Sequence, residues 1–413
     1  MYPDLLEIFG ITLYGVMFER VLWLISASLM LWGVVSSILI YLKGRKGEAI
    51  VQMVIVFVLL LWFGSSFLGT FDEGYSLVFR EPVVIHTYAF CILIGIACGI
   101  GVAMWMGPRR GMSRMWIAKL CLWCVLIGFI GARGAYVIVE RQFFIDSCVN
   151  PSLVGLSEPN CWRFLNVSEG GLVFYGGVIT GFLVLIGGWL WQRRRNPKFK
   201  ALALADTLVP ALAAAHGFGR IGCIAAGCCW GALTRSGGGI HYKPGSFAYE
   251  ALLKDPAWHD VVVKAGETPG IHATQLYEAG VEFLFLGLIC FLAYRQHKRI
   301  EAFAMAKSEE AESKSEEAES KSENIITDNV PGVHYGRLAS LWLIGYGVSR
   351  IIIECMRDDG ERGYFFERVI EPVNEILDVS LEHATIFTTS QGIGVVMIVI
   401  GVVFLIMSNK KCV

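Results

Sequence analysis

Two arginines, Arg220 and Arg350, sit inside long apolar stretches where a charge has to be explained. A charged side chain in a membrane helix costs about 2.5–3.5 kcal/mol on insertion scales, so it normally faces a cavity or a partner. Tyr346, Arg350 and Glu354 recur at every fourth residue and share one helical stripe. Guanidinium groups donate in a planar fork that matches the oxygens of a phosphate, so two of them make an anion site. The plainer alternative is that Arg350 and Glu354 pair with each other and tie helices together.

Arg220 lies in a run of small residues from Gly217 to Gly231 that also holds Gly219, Gly222 and Gly227. Such a run suits a broken helix whose backbone lines a cavity, or close helix packing through small residues. Three thiols in the same run, Cys223, Cys228 and Cys229, invite a metal or redox role. Four residues separate the first two and none the last two, which is not a zinc spacing, and no paired histidine follows. His216 lies seven residues before Cys223, where it could share its face. Buried structural thiols and thiols with a part in catalysis both stay open; neither a metal nor a cofactor is expected.

The elements that must hold these groups are membrane helices. Of 413 residues, 55% are hydrophobic and 17% charged, against roughly 25% charged in a soluble domain. An ordinary soluble fold is therefore excluded, and a nucleic-acid partner is not expected. The first twenty residues lack the basic start and small-residue cleavage site of a signal peptide, so the chain is expected to be held by its own helices. A span needs about 20 apolar residues. The stretches that qualify are Val21–Leu42, Val51–Thr70, Val84–Met106, Trp116–Val139, Leu172–Trp191, Ala201–Ile224, Thr274–Tyr294, Leu338–Met356 and Gln391–Met407. The sixth is interrupted by Asp206 and Pro210, and the eighth carries Arg350 and Glu354.

Basic clusters follow the odd-numbered spans, as at Arg109, Arg110 and Arg114 and at Arg193, Arg194 and Arg195. By the positive-inside rule this predicts an all-α polytopic membrane protein of about nine helices, with its N-terminus outside and its C-terminus cytoplasmic. Residues 1–80 hold two extra N-terminal helices, and 81–300 with 335–409 form the main bundle. Residues 301–334 form a charged cytoplasmic linker in which Lys-Ser-Glu-Glu-Ala-Glu-Ser at Lys307 recurs at Lys314.

On this topology the polar residues gather at the outer face. Tyr88 opens the third span, Tyr175 the fifth, and Gln275, Tyr277 and Glu278 the seventh. Arg133 and Tyr136 lie near the outer end of the fourth. Arg220, fourteen residues beyond Asp206, is roughly 21 Å further along its helix, and Arg350 and Glu354 lie in the outer half of theirs. At that level the obvious anion is a phospholipid headgroup. Cys148 and Cys161 flank a polar loop on the same, oxidising side and are expected to be bonded to each other.

Four stretches resemble the bacterial prolipoprotein diacylglyceryl transferases. They are Glu169-Gly170-Gly171-Leu172 through Gly177, Gly219-Arg220-Ile221-Gly222, His272 through Ala279, and Tyr346 through Arg350, Glu354 and Arg357-Asp358-Asp359. The resemblance runs from about Val84 to Met407. It implies a helical bundle with a cavity open to the outer leaflet, in the bacterial inner membrane. The implied activity moves the diacylglyceryl group of phosphatidylglycerol onto the lipobox cysteine of a prolipoprotein signal peptide, with membrane lipids and that peptide as partners. It further implies that Arg220 and Arg350 bind the phosphate, that Tyr88 and Tyr346 shape the headgroup pocket, and that Glu354 orients Arg350. Substrate-binding expectations extend to Arg133, Gly222, Gly231, Gln275, Tyr277 and Glu278.

This chain departs from the family pattern in a Cys-rich signature. Cys223, Ala226 and Cys228 stand where the family has Asn, Asn and Glu, and Tyr175 stands where it has a histidine. A tyrosine, with a pKa of about 10, is a weaker base at neutral pH than a histidine at about 6.5. Either the acceptor thiol is activated otherwise, with Tyr175, Cys223 and Cys228 as catalytic candidates, or the chemistry has changed. The alternatives are a related phospholipid-dependent transferase with another acceptor, and a non-catalytic phospholipid-binding or thiol-redox membrane protein.

Overall fold

The computed structural model describes residues 87–166, 171–197, 199–313, 333–359, 363–380 and 382–409. The first two expected spans, most of the linker and Glu169-Gly170 lie outside these. The chain divides into two compact units, Met1–Phe90 and Cys91–Val413. Of the first, the described residues are the opening turn of a helix.

Helices α1 (Thr87–Met106), α2 (Arg114–Val139) and α3 (Arg141–Val149) come first, followed by α4 (Phe174–Arg195) and α5 (Ala201–Ala226). Two short helices, α6 (Phe247–Lys254) and α7 (His259–Ala265), precede the long α8 (Thr274–Ser313). After α9 (Arg337–Glu354) come strand β1 (Tyr364–Arg368), α10 (Glu371–Ile376), strand β2 (Ile386–Thr388) and α11 (Thr389–Asn409). Six of the described helices, α1, α2, α4, α5, α8 and α11, are long and apolar enough to cross a membrane. Helix α9 has eighteen residues, about 27 Å of rise, and carries Arg350 and Glu354 into the protein interior.

Small residues set how closely these helices pack. A Cβ at Gly95 or Gly99 of α1 would stand 2.8 Å from a backbone oxygen of α5. One at Gly131 of α2 would stand 2.7 Å from the Gly176 oxygen of α4. One at Gly347 of α9 would stand 2.6 Å from the Gly394 oxygen of α11. This is how helices associate in lipid, where apolar side chains gain little by leaving one apolar solvent for another. Two buried clusters complete the bundle. Ala103, Ile117, Leu120, Leu204 and Ala211 join α1, α2 and α5, with Leu185 and Trp189 of α4 packed against them. Met106, Ala213, Ile289, Ala293, Leu338 and Trp342 join α1, α5, α8 and α9.

The sequence suggested a weak or broken sixth span, but α5 runs unbroken from Ala201 to Ala226. Asp206 is wholly buried because it serves a neighbour, accepting from the backbone N–H groups of Gly336 at 2.7 Å and Ala339 at 2.8 Å. It thereby caps the start of α9, whose own N-cap, Gly336, has no side chain to do so. Gly217 of α5 faces Phe283 and Glu282 of α8, so the small-residue packing reading describes that part of the run.

One end of the bundle carries a folded cap. Tyr242, Ala248 and Ile271 form its core, with Trp230, Leu233 and Ile240 against them. Strands β1 and β2 pair antiparallel, Tyr364 opposite Thr388. Cys148 of α3 and Cys161 are joined by a disulfide. The charged repeat at Lys307–Ser313 is the helical end of α8; its second copy lies outside the described residues.

Candidate active site

Arg220 lies two turns before the end of α5, Glu278 in the second turn of α8, and Arg350 and Glu354 in the last two turns of α9. All three helix ends meet under the cap. Glu278 is 3% exposed and forms ion pairs with both arginines, with Arg220 Nε through one carboxylate oxygen and with Arg350 through the other. Arg350, 8% exposed, also pairs with Glu354 at 3.0 Å and donates to Ser390 Oγ at 3.1 Å. Two positive charges are thus held next to each other by one carboxylate between them. Desolvated charges repay their burial only when paired with good geometry and supplied with further hydrogen bonds.

A second, partly buried chain starts from the same arginine. Arg220 Nε donates to His216 Nε2 at 3.2 Å, and His216 Nδ1 lies 2.6 Å from Glu282. Glu282 also accepts from Trp342 Nε1 at 2.8 Å. Because Nε2 accepts, the proton of a neutral His216 is on Nδ1, facing Glu282. Tyr346 stacks on Trp342, with ring centroids 5.2 Å apart, and meets the His216 ring edge-on at 5.5 Å. Sequence analysis missed Glu282 and Trp342, and gave His216 no role beside Arg220. The signal was present: His216 with Arg220, and Glu278 with Glu282, repeat the four-residue spacing noticed at Arg350 and Glu354.

The cap closes over this layer through backbone pairing. Gly231 N–H donates to His272 O at 3.2 Å, Ala232 N–H to Met356 O at 2.7 Å, and Asp358 N–H to Trp230 O at 3.2 Å. A Cβ at Gly231 would stand 2.7 Å from the Met356 oxygen, so glycine there permits a three-segment junction. Gln275 is buried and donates to Cys228 O at 2.7 Å and to the Tyr242 hydroxyl at 3.0 Å. Burial pushes that hydroxyl up to about 12, so it stays protonated and able to donate. Arg357 forms a double bond-pair with Asp359, both contacts 2.5 Å. Burial works against its charge, but the carboxylate prevails and its pKa is raised.

Of the residues picked from sequence, Arg220, Glu278, Tyr346, Arg350 and Glu354 are gathered in this layer, with Gln275 and Gly231 at its margin. Cys223 lies in the last turn of α5, Cys228 just beyond it, and Gly222 is buried in α5. Tyr277 bonds His272 through its hydroxyl at 3.4 Å. Arg133 is elsewhere: its guanidinium donates to the carbonyls of Phe164 and Asn166, both at 2.8 Å, and of Gly171 at 3.0 Å. Tyr175 is 54% exposed in the first turn of α4, its ring against Phe174. Tyr88 is partly exposed in the first turn of α1.

Fold and site together define a polytopic membrane protein with a buried two-arginine, carboxylate-bridged centre under a cap. The family model described as prolipoprotein diacylglyceryl transferase matches residues 76–307, more than half of the chain, and the chain belongs to that family. Among curated relatives, one from Clostridium perfringens is 35% identical over 275 residues, covering 67% of this chain and 80% of the relative. One from Clostridium tetani is 27% identical over 67% of this chain and 82% of its own length. One from Yersinia enterocolitica is 26% identical over 73% and 87%. Each is named a phosphatidylglycerol–prolipoprotein diacylglyceryl transferase.

Proposed function

We propose that this protein transfers the diacylglyceryl group of phosphatidylglycerol to the lipobox cysteine thiol of prolipoproteins, with Arg220 and Arg350 holding the phosphate. The reaction is the first step of lipoprotein maturation. The acceptor thiol gives up its proton, its sulfur forms a bond to a glycerol carbon, and that carbon's bond to the phosphate oxygen breaks. The oxygen keeps the electron pair and departs as glycerol phosphate. Charge grows on the phosphate as the bond breaks, so cations already in place lower the barrier. The observation that carries this reading is the Glu278 bridge, which keeps two guanidinium groups together at one buried level. On the topology read from sequence, nine spans with the N-terminus outside, that level is the outer leaflet of the bacterial inner membrane. There a lipid headgroup and an exported signal peptide can meet.

The test is transfer of labelled diacylglycerol from phosphatidylglycerol to a lipobox peptide by the purified full chain. Wild-type protein is expected to form product. Arg220→Ala and Arg350→Ala are each expected to lose at least about a hundredfold. Product formed at wild-type rate by both variants would overturn the assignment of the phosphate to these two residues.

A further inference from the structure

The three thiols of the Cys-rich run converge. Cys223 is buried and Cys228 and Cys229 half-buried, and their sulfur atoms all lie within 4.8 Å of one another. The way α5 ends explains why. Gly227 N–H donates to Ile224 O at 3.0 Å, and Cys228 N–H reaches back to Cys223 O at 3.1 Å. This is the pair of bonds that closes a helix in a Schellman turn. A separation of five residues, which is no metal spacing on an extended loop, thus puts Cys228 directly against Cys223. Gly227 takes the left-handed conformation the turn demands, with φ +66°, and a Cβ there would stand 2.7 Å from Ser246. Cys229 also has a positive φ, 56°, which folds it toward the other two.

These thiols are also anchored. The first turn of α8 grips their backbone, Gln275 donating to Cys228 O at 2.7 Å and Thr274 Oγ1 to Cys229 O at 3.0 Å. Their side chains are free thiols, whereas Cys148 and Cys161 form a disulfide. The charges of Arg220 and Arg357 both act favourably on Cys229. Three thiolates around a divalent ion carry one net negative charge, which these neighbours offset.

We propose that Cys223, Cys228 and Cys229 form a three-sulfur site for a zinc-like divalent cation, with a fourth position left for the acceptor thiol. Zinc–sulfur bonds of about 2.3 Å put tetrahedral sulfurs about 3.8 Å apart, a small contraction of the cluster. Soft thiolates select Zn²⁺ over the hard cations, and three protein ligands with one open position is the pattern of reactive rather than structural zinc. The second half of this proposal rests on the transferase reading. The acceptor thiol loses its proton to water as its sulfur binds the ion, then attacks the glycerol carbon held beside Arg220.

The test uses the full chain purified in detergent without chelator. Wild-type protein is expected to hold about one zinc, and Cys228→Ser/Cys229→Ser less than about a tenth of that. Retention of the Cys148–Cys161 disulfide in the variant checks its fold. Cobalt-loaded wild type is expected to show thiolate-to-cobalt absorption and tetrahedral d–d bands. The latter should shift with a lipobox peptide but not with its serine counterpart. The site is overturned by a wild type that holds no zinc and gives no cobalt–thiolate band, by equal metal in the variant, or by a disulfide among the three cysteines. Transfer that continues at full rate after zinc is stripped would overturn the acceptor half alone. Zinc bound with no transfer would leave the metal site standing and refute the transferase reading.

Discussion

Glu278 is shared by Arg220 and Arg350, so its removal acts on two charges at once. Glu278→Ala would leave both without their common partner, and breaking a buried pair costs about 3–5 kcal/mol. A large fall in thermal stability in detergent is the expected outcome. Glu282→Gln is a milder change, since an amide oxygen still accepts from Trp342. It removes the charge that fixes the His216 tautomer and, through it, Arg220. Here Glu282 is a positioning residue: turnover should fall about tenfold or more, with melting temperature nearly unchanged. A large fall in melting temperature with it would show that His216 and Glu282 serve only to hold the fold. The arginines and Glu354 were legible because charge in an apolar stretch is costly and therefore conspicuous. Glu282 was equally conspicuous, but its partner His216 lies on another helix, so spacing did not join them.

At the scale of elements, the fate of α5 is instructive. Asp206, Pro210 and a run of glycines read as an interrupted span, yet the helix is continuous, and two of these irregularities are answered by a neighbour. Asp206 supplies the cap of α9, and Gly217 makes room for Phe283. Such answers come from elements distant in sequence, as between Asp206 and Gly336, and no local pattern contains them. Asp206→Ala should cost about 2 kcal/mol or more through the lost cap and two stranded N–H groups, read as a lower unfolding midpoint. If stability is unchanged, the cap assignment is wrong. Among the described residues the span positions were legible to within a few residues, since apolar length is written in the sequence, except that α8 continues well beyond Tyr294. The turn after α5 was not: the cysteine spacing has meaning only once the helix is known to close back on itself.

For the whole molecule, the described membrane helices differ widely in burial. Helix α5, with over half of its apolar window buried, and α9 hold the centre; α4 buries none of its window and rests on α2 through glycine and threonine. Tyr175 belongs to α4, and its half-exposed ring rests on Phe174.

Helix α8 has one further consequence. Its forty described residues span about 60 Å, twice the hydrocarbon thickness of a bilayer, and they include the first copy of a heptapeptide that the sequence then repeats. Tandem copies in a gene are prone to replication slippage, and a seven-residue unit preserves the reading frame. Doubling the length of a tether adds only about 0.6 kcal/mol to the cost of closing it. Natural selection would hardly register one copy more or fewer. Strains of the source organism should therefore differ in repeat number while the arginines and their carboxylates stay the same.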